Sequence, residues 1–134
     1  MKKFKLFGLA LILLSVTGCM DRADPEETLI GRWKLVRGET VFFEPRTVNY
    51  SSHNIVYYFQ PDGTFTVESD LEDFIGHSPG QYTYRFNPSP AFNGYDMDYT
   101  LQIGGTSWAC SISRNKMILD RSPLDGSILS FIKL

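Results

Sequence analysis

The segment YDMDYTLQI, residues 95–103, decides the fold class of this chain. Apolar or aromatic side chains occupy every second position, from Tyr95 through Tyr99 to Ile103, and polar side chains stand between them. Because successive side chains of a β-strand point to opposite faces of the sheet, this alternation predicts a strand with one buried and one hydrated face. The same period recurs elsewhere, and no window shows a helical period of useful length. The chain is therefore predicted to be all-β.

Eight strands of this kind are predicted, with short turn sequences between most of them. Their predicted ranges are Leu29–Arg37, Asn54–Gln60, Thr64–Ser69, Gly80–Asn87, Tyr95–Ile103, Thr106–Ile112, Lys116–Arg121 and Ser127–Lys133. Such strands close either as a barrel or as a sandwich. Tight turns at Pro61-Asp62-Gly63 and Gly104-Gly105 favour a meander, and closing a meander removes its exposed edge strands. The predicted fold is an eight-stranded antiparallel up-and-down barrel.

The inward-facing positions of this barrel are rich in aromatic residues. They are predicted to be Trp33, Leu35, Tyr57, Phe59, Phe65, Tyr82, Tyr84, Tyr99, Leu101, Trp108 and Leu119. An eight-stranded barrel is either just filled by its side chains or holds one small ligand, and both interpretations stay open. Tyrosine hydroxyls need hydrogen-bonding partners, which favours an interior that is partly open at one end.

One end of the barrel is predicted to carry the longer loops, because alternate connections of a meander emerge at the same end. These connections are residues 38–53, 70–79, 104–105 and 122–126. Phe42, Phe43 and Phe74 lie in them among polar residues, so they are expected either to form lids over a ligand entrance or to cap the core. The candidate ligand-binding residues are therefore Phe42, Phe43, Phe74, Tyr57, Tyr82, Tyr84 and Tyr99.

Catalytic and metal-binding patterns are lacking in this sequence. His53 and His77 are expected near the same rim as surface residues, with Glu72 and Asp73 close by in the chain. These four residues do not have the spacing of a metal-binding motif. There is also no inward pair of carboxylates, no Ser–His pair and no phosphate-binding glycine loop. We therefore expect a protein without catalytic activity, metal or cofactor.

The N-terminal 18 residues have the pattern of a secretory signal. A head with Lys2, Lys3 and Lys5 precedes an apolar run over residues 6–16, which is about half the roughly 20 residues that span a bilayer. The following residues, Val16-Thr17-Gly18-Cys19, resemble the lipobox of bacterial lipoproteins. The resemblance implies cleavage before Cys19 and diacylation of its thiol, and two or more acyl chains anchor a protein stably. The alternative is an ordinary cleaved signal that leaves a cysteine.

Residues 19–27 are predicted to be the lipidated cysteine and an acidic, solvated tether. Acidic residues at this position also resemble the surface-export signals of some Gram-negative lipoproteins. The expected location is thus the cell envelope, with the chain held in the lipid bilayer through Cys19. The outer membrane is favoured, and its periplasmic and surface faces both stay open.

Charge and cysteine content exclude other roles. Because the leader holds three lysines and no acidic residue, its removal leaves 116 of the 134 residues, with 10 basic against 15 acidic ones and a formal net charge of −5. This balance disfavours nucleic acid and electrostatic adhesion to anionic lipid. Cys110 is then the one cysteine besides Cys19. It alternates with Trp108 and Ile112, which predicts a buried apolar residue rather than a disulfide or a nucleophile.

A family resemblance rests on four motifs in order. Gly31-Arg32-Trp33 at the start of the first strand is similar to the Gly-x-Trp of lipocalins. The hairpin of residues 59–65, Gly80-Gln81-Tyr82-Thr83-Tyr84 and Lys116-Met117-Ile118-Leu119 follow it. Together they resemble the small lipocalin-like domains of bacterial envelope lipoproteins over residues 28–134. The resemblance implies that Gly31 lets the strand bend and that Trp33 plugs the closed end.

Lipocalins also set an arginine from the closing strand across this tryptophan. The last strand here offers only Lys133, and Arg121 from the preceding strand is expected to stack in its place. The overall expectation is a monomeric, membrane-anchored barrel that binds a small apolar or amphipathic ligand for sequestration or handover. The alternative is a filled barrel that recognises a protein or glycan through its loops.

Overall fold

The alternating segments pair with one another in chain order and close on themselves. The computed structural model describes residues 24–92 and 97–134. Its strands are β1 (Gly31–Thr40), β2 (Arg46–Asn49), β3 (Ile55–Phe59), β4 (Thr64–Ser69), β5 (Gly80–Asn87), β6 (Tyr99–Ile103), β7 (Thr106–Ser113), β8 (Lys116–Asp120) and β9 (Ser127–Lys133). All neighbours are antiparallel, in the order β2-β1-β3-β4-β5-β6-β7-β8-β9, and β1 also pairs with β9. The predicted closed eight-stranded up-and-down barrel is confirmed.

The long first strand closes the barrel. Residues 31–34 pair with β3, whereas residues 33–40 pair with β9 across an irregularity between Leu35 and Arg37. The last four residues of β1 pair on their other side with β2. Strand β2 therefore extends the sheet only along the C-terminal part of β1. The closed barrel itself consists of β1 and β3 to β9.

Two elements differ from the sequence-based expectation. Strand β2 lies inside the segment 38–53, which was predicted to be a connection, and β1 also extends into that segment as far as Thr40. A helical turn, α1 (Pro25–Leu29), occupies the end of the expected tether and the expected start of the first strand. The prediction for residues 95–96 lies outside the described residues, and β6 begins only at Tyr99.

The half of the barrel near the β3–β4 turn is filled with side chains. Phe59 and Phe65 stack with ring centroids 4.7 Å apart, and Tyr57 stacks on Phe65 at 5.6 Å. Phe131 meets Tyr57 edge-on at 4.8 Å. Trp33, Leu35 and Met117 in this half, and Leu29 before β1, are also completely buried. This end of the barrel is closed.

Trp33 lies at the closed end, beneath α1. Its indole N–H donates to the Leu29 carbonyl at 2.8 Å, and the Lys133 ammonium lies 4.7 Å from the centre of its ring. The same ammonium donates to the carbonyls of Thr28 and Ile30, the latter at 2.7 Å. The end of β9 thereby ties the polypeptide that precedes β1 to the barrel.

The expectation that Arg121 stacks on Trp33 is wrong. Lys133 lies directly opposite Trp33 on the paired strand β9, so its side chain is next to the indole ring. Arg121 follows β8 at the opposite end of the barrel, and its guanidinium lies over Trp108, 5.8 Å from the ring centre.

Helical structure is sparse in the part of the chain that the structure describes. Asp24 caps α1 by accepting from the Glu26 backbone N–H at 3.0 Å, and Pro25 occupies the first helical position, where it needs no hydrogen bond. A 3-10 turn, Ser122–Leu124, joins β8 to β9. Within residues 24–92 and 97–134, no helix has the length and apolar character that a membrane crossing needs.

Candidate functional site

A cleft of about 630 Å³ occupies the end of the barrel opposite to Trp33. Three of the connections that were predicted to share a rim meet there: the β4–β5 loop, the β6–β7 turn and the β8–β9 connection. The cleft is lined by Gly76, His77, Tyr82, Thr83, Ile103, Gly104, Thr106, Trp108, Arg121, Gly126 and Ser127. Its volume falls within the roughly 300–1,000 Å³ of small-molecule sites.

The β4–β5 loop folds inward over the open end. The Ile75 backbone N–H donates to the Tyr50 hydroxyl at 2.8 Å, and the Phe74 ring meets Tyr50 edge-on at 6.2 Å. Ile75 in turn lies against Gly38 of β1, where a Cβ atom would come within 2.7 Å of the Ile75 Cβ. The loop is thus held by contacts on both of its sides, and it places Gly76 and His77 at the cleft.

His77 is not a surface residue, in contrast to the expectation from sequence. Its ring packs among aromatic side chains, with centroid distances of 5.5 Å to Tyr57, 5.4 Å to Tyr82 and 5.3 Å to Trp108. Because burial disfavours the charged ring, the pKa of His77 falls from its usual 6.5 to about 4. The residue is therefore a neutral part of the cleft at pH 7.

The hydroxyl of Tyr57 fixes the protonation of this ring. It accepts from the His77 backbone N–H at 2.8 Å and lies 2.8 Å from Nδ1 of the same residue. A phenol hydroxyl donates one hydrogen bond. Among the described residues, His77 Nδ1 is the acceptor for that bond. We therefore assign Nδ1 as unprotonated and place the proton of the neutral ring on Nε2. Burial also raises the pKa of Tyr57, so the hydroxyl keeps its proton.

Trp108 forms part of the cleft wall and carries an unsatisfied donor. The side chain is only 8 % exposed, yet its indole N–H has no hydrogen-bond partner among the described residues. Indole N–H groups of buried tryptophans usually find an acceptor. It is the only buried side-chain nitrogen or oxygen in residues 24–92 and 97–134 that lacks one.

Arg121 is held at the cleft by the turn that follows it. Its Nη1 donates to the Ser107 carbonyl at 2.9 Å, and its backbone carbonyl accepts from the N–H of Gly126 at 2.9 Å. A Cβ atom on Gly126 would come within 2.5 Å of the Arg121 Cβ, so only glycine fits this close approach. The charged side chain is thereby held against β7 at the wall of the cleft.

The four tyrosines predicted to bind a ligand are divided between the two ends. Tyr82 lines the cleft and donates its hydroxyl proton to the Ser78 carbonyl at 2.6 Å, and Tyr57 reaches the cleft through His77. Tyr84 instead donates to the Gln60 carbonyl at 2.6 Å, at the closed end. Tyr99 packs on Phe86 at 5.2 Å and does not line the cleft.

The three phenylalanines predicted at the entrance do not line the cleft either. Phe74 packs against the loop and the barrel wall, which corresponds to the capping alternative. Phe42 and Phe43 contact each other edge-on at 4.4 Å, and Phe43 is 89 % exposed. Phe43 also has a φ of 63°, a conformation that bulky residues rarely adopt.

Two other predicted features have clear positions. Cys110 is completely buried, as its alternation with Trp108 predicts, and burial raises the pKa of its thiol to about 12. His53 lies at the surface with its Nδ1 3.5 Å from the Asp70 carboxylate. Among the described residues, no group of three or more His, Cys, Asp or Glu side chains is placed to hold a metal ion.

Sequence reasoning did not assign His77, Trp108 or Arg121 to a ligand site. The rim prediction was the signal that could have found them, because all three lie at or beside the connections that share this end. Comparison of the chain with protein-family models, curated proteins and solved structures gave no significant match in any of the three. The site is therefore interpreted from its own geometry.

Proposed function

We propose that this protein is a non-catalytic, lipid-anchored binding protein of the cell envelope, in which a lipocalin-like barrel takes a small amphipathic ligand into the cleft. The observation that supports ligand binding is the contrast between the two ends of the barrel. One end is filled with side chains around Trp33, and the other has a cleft of about 630 Å³ with aromatic walls.

The lining of the cleft suits an amphipathic molecule. Trp108, Ile103 and the ring of Tyr82 offer apolar contact area, whereas Arg121 and His77 offer polar groups. Specific small-molecule sites have this composition, with a mostly apolar wall and a few convergent polar groups.

Ligand binding is tested with the uncharged fluorescent probe N-phenyl-1-naphthylamine. The protein used is the mature chain, residues 19–134 with Cys19→Ala, because it lacks the apolar leader and the acyl chains and needs no detergent or lipid into which the probe would partition. We expect saturable binding to this protein and its loss in Thr106→Phe, which fills the cleft. Thr47→Phe on the exposed β2 is the matched control and retains binding. Equal binding by both Phe variants, or no binding at all, would contradict the proposal.

The lipid anchor has a separate test with an internal control. In cells supplied with labelled palmitate, the full chain is expected to incorporate label and to sediment with membranes. Cys19→Ala loses both properties. Cys110→Ala keeps both, because that thiol is buried in the barrel. Label that survives Cys19→Ala would refute lipidation at this residue.

One observation favours a second candidate, an interaction module that acts through its loops. Phe42 and Phe43 project an apolar tip that contributes nothing to the core, and Phe43 holds a strained φ of 63°. Its test is photo-crosslinking from position 43 in intact cells. A protein captured from position 43 and not from position 58, an exposed tyrosine on the outer barrel wall, would favour this alternative.

A further inference from the structure

The polar side chains of the cleft are biased towards hydrogen-bond donors. Arg121 has five N–H groups and no acceptor, and the Ser107 carbonyl is the acceptor recorded for it. His77 contributes an Nε2–H, because its Nδ1 accepts from Tyr57. None of the residues that line the cleft is acidic.

The acceptors near the cleft are largely occupied. The Ser107 carbonyl accepts from Arg121, and the Thr83 carbonyl accepts from the Gly104 N–H at 3.3 Å. The Tyr82 hydroxyl donates a hydrogen bond to the Ser78 carbonyl at 2.6 Å, so towards a ligand it can only accept. The hydroxyls of Thr83, Thr106 and Ser127 can rotate to donate or to accept, so they adapt to either kind of ligand group.

Two acidic residues lie close to Arg121 in the chain, but they do not alter the excess of hydrogen-bond donors in the cleft. Asp120 is buried and accepts from the Ser122 backbone N–H at 2.7 Å, and Asp125 lies in the connection to β9. Neither lines the cleft. Arg121 is therefore the one charged side chain among the described residues of the cleft wall, although the chain as a whole carries a formal net charge of −2.

We infer that the ligand of this cleft carries an anionic head group rich in acceptors, of the carboxylate or sulfonate type, which binds Arg121 with His77 as a neutral donor. The inference rests on the proposed ligand binding and specifies the class of ligand. A guanidinium matches the paired oxygens of such a group, and charge-assisted hydrogen bonds are stronger than neutral ones. The apolar part of the ligand then lies along Ile103 and the aromatic walls.

An uncharged or cationic ligand fits the same cleft less well. An apolar molecule would desolvate Arg121 and cover the Nε2–H of His77 without offering an acceptor, and each unpaired polar group carries a desolvation cost. A cation would also face the guanidinium at close range. The selectivity of the site therefore arises from the donors that it leaves unpaired.

The test compares two dyes that differ mainly in one sulfonate: 8-anilinonaphthalene-1-sulfonate and the uncharged N-phenyl-1-naphthylamine. The mature chain, residues 19–134 with Cys19→Ala, is expected to bind the sulfonate dye about tenfold more tightly than the uncharged dye. Arg121→Gln should weaken the sulfonate dye about tenfold or more and change the uncharged dye less than twofold. Arg121→Lys should restore part of the loss. Arg114→Gln, in the β7–β8 turn at the closed end, should change neither.

A competition experiment on the protein with its Arg121 intact covers the case in which the Gln variant does not fold. Octanoate is expected to displace N-phenyl-1-naphthylamine at a concentration about tenfold lower than 1-octanol. Equal displacement by the acid and the alcohol, or unchanged sulfonate binding in a folded Arg121→Gln protein, would overturn the inference while the ligand site stands. If neither dye binds, the proposed function itself fails, and the inference fails with it.

Discussion

Protonation of His77 should make the stability of the barrel depend on pH in a way that one substitution removes. The neutral ring accepts a hydrogen bond from the Tyr57 hydroxyl at Nδ1 and lies among Tyr57, Tyr82 and Trp108. Arg121 lines the same cleft. A second proton on the ring would break the hydrogen bond at Nδ1 and place a buried charge near this guanidinium. Acid should therefore unfold the native protein more readily than a variant without this histidine.

The sign and size follow from the pKa of the ring. The folded pKa of about 4 is lower than the usual 6.5, so the unfolded chain binds the proton more readily. The contribution of His77 to the free energy of unfolding is complete above pH 6.5 and is lost as the pH falls towards 4. At about 1.36 kcal/mol for each pKa unit the limit is about 3 kcal/mol, and partial solvent access reduces the expected value to about 2 kcal/mol.

The assay is urea unfolding of the full chain and two variants between pH 7 and pH 4. His77→Gln keeps a polar side chain of similar size that does not titrate, and His53→Gln removes the surface histidine as a matched control. Carboxylates titrate over the same range in all three proteins, so only the difference between curves reports on His77. From pH 7 to pH 4 the parent and His53→Gln should each lose about 2 kcal/mol more than His77→Gln. Parallel curves for all three would refute the reasoning.

Three further predictions concern packing. Lys133→Met removes the ammonium that bonds two carbonyls at the closed end, and urea unfolding should show a loss of about 1–3 kcal/mol against little change for the exposed Lys116→Met. Gly126→Ala introduces a Cβ at 2.5 Å from a neighbouring side chain and should lower thermal stability, unlike Gly105→Ala, where nothing lies within 4 Å. Cys110 should react with a thiol reagent only after unfolding; modification at native rates would contradict its burial.

The sequence predicts the barrel strands well because two independent signals coincide there. Strands β4, β5 and β9 have the predicted bounds, since alternating side chains and turn residues mark both of their ends. Strand β2, Arg-Thr-Val-Asn, gives no such signal because its side chains are mostly solvent-exposed on both faces. Its position depends instead on pairing with the end of β1.

The helical turn α1 could have been recognised from its cap. Asp24, Pro25 and the two glutamates that follow have the composition of a helix start, but five residues are too few to show a helical period. The sequence-based interpretation as a tether relied on charge alone. Leu29 is completely buried, and it shows that this segment belongs to the folded barrel.

The site was less predictable than the fold, because loop conformation decides which side chains meet. The meander correctly places the connections at one end, but nothing local shows that His77 turns inward while Phe43 turns outward. The inward turn depends on hydroxyls of Tyr50 and Tyr57, which are 25 and 20 residues away in sequence. Long-range hydrogen bonds of this kind have no periodic signature.

The docking of α1 at the closed end has a consequence for the direction in which the proposed ligand travels. Four residues lie between Cys19 and Asp24, and the five steps from one to the other span at most about 18 Å. If acyl chains on Cys19 hold the protein in a bilayer, the short polypeptide between Cys19 and Asp24 connects that bilayer to the end of the barrel that Trp33 and Lys133 close. The mouth of an upright barrel would then face away from that bilayer. Its cargo would be exchanged with the aqueous compartment or with an opposing surface, and not drawn sideways out of the membrane that carries it.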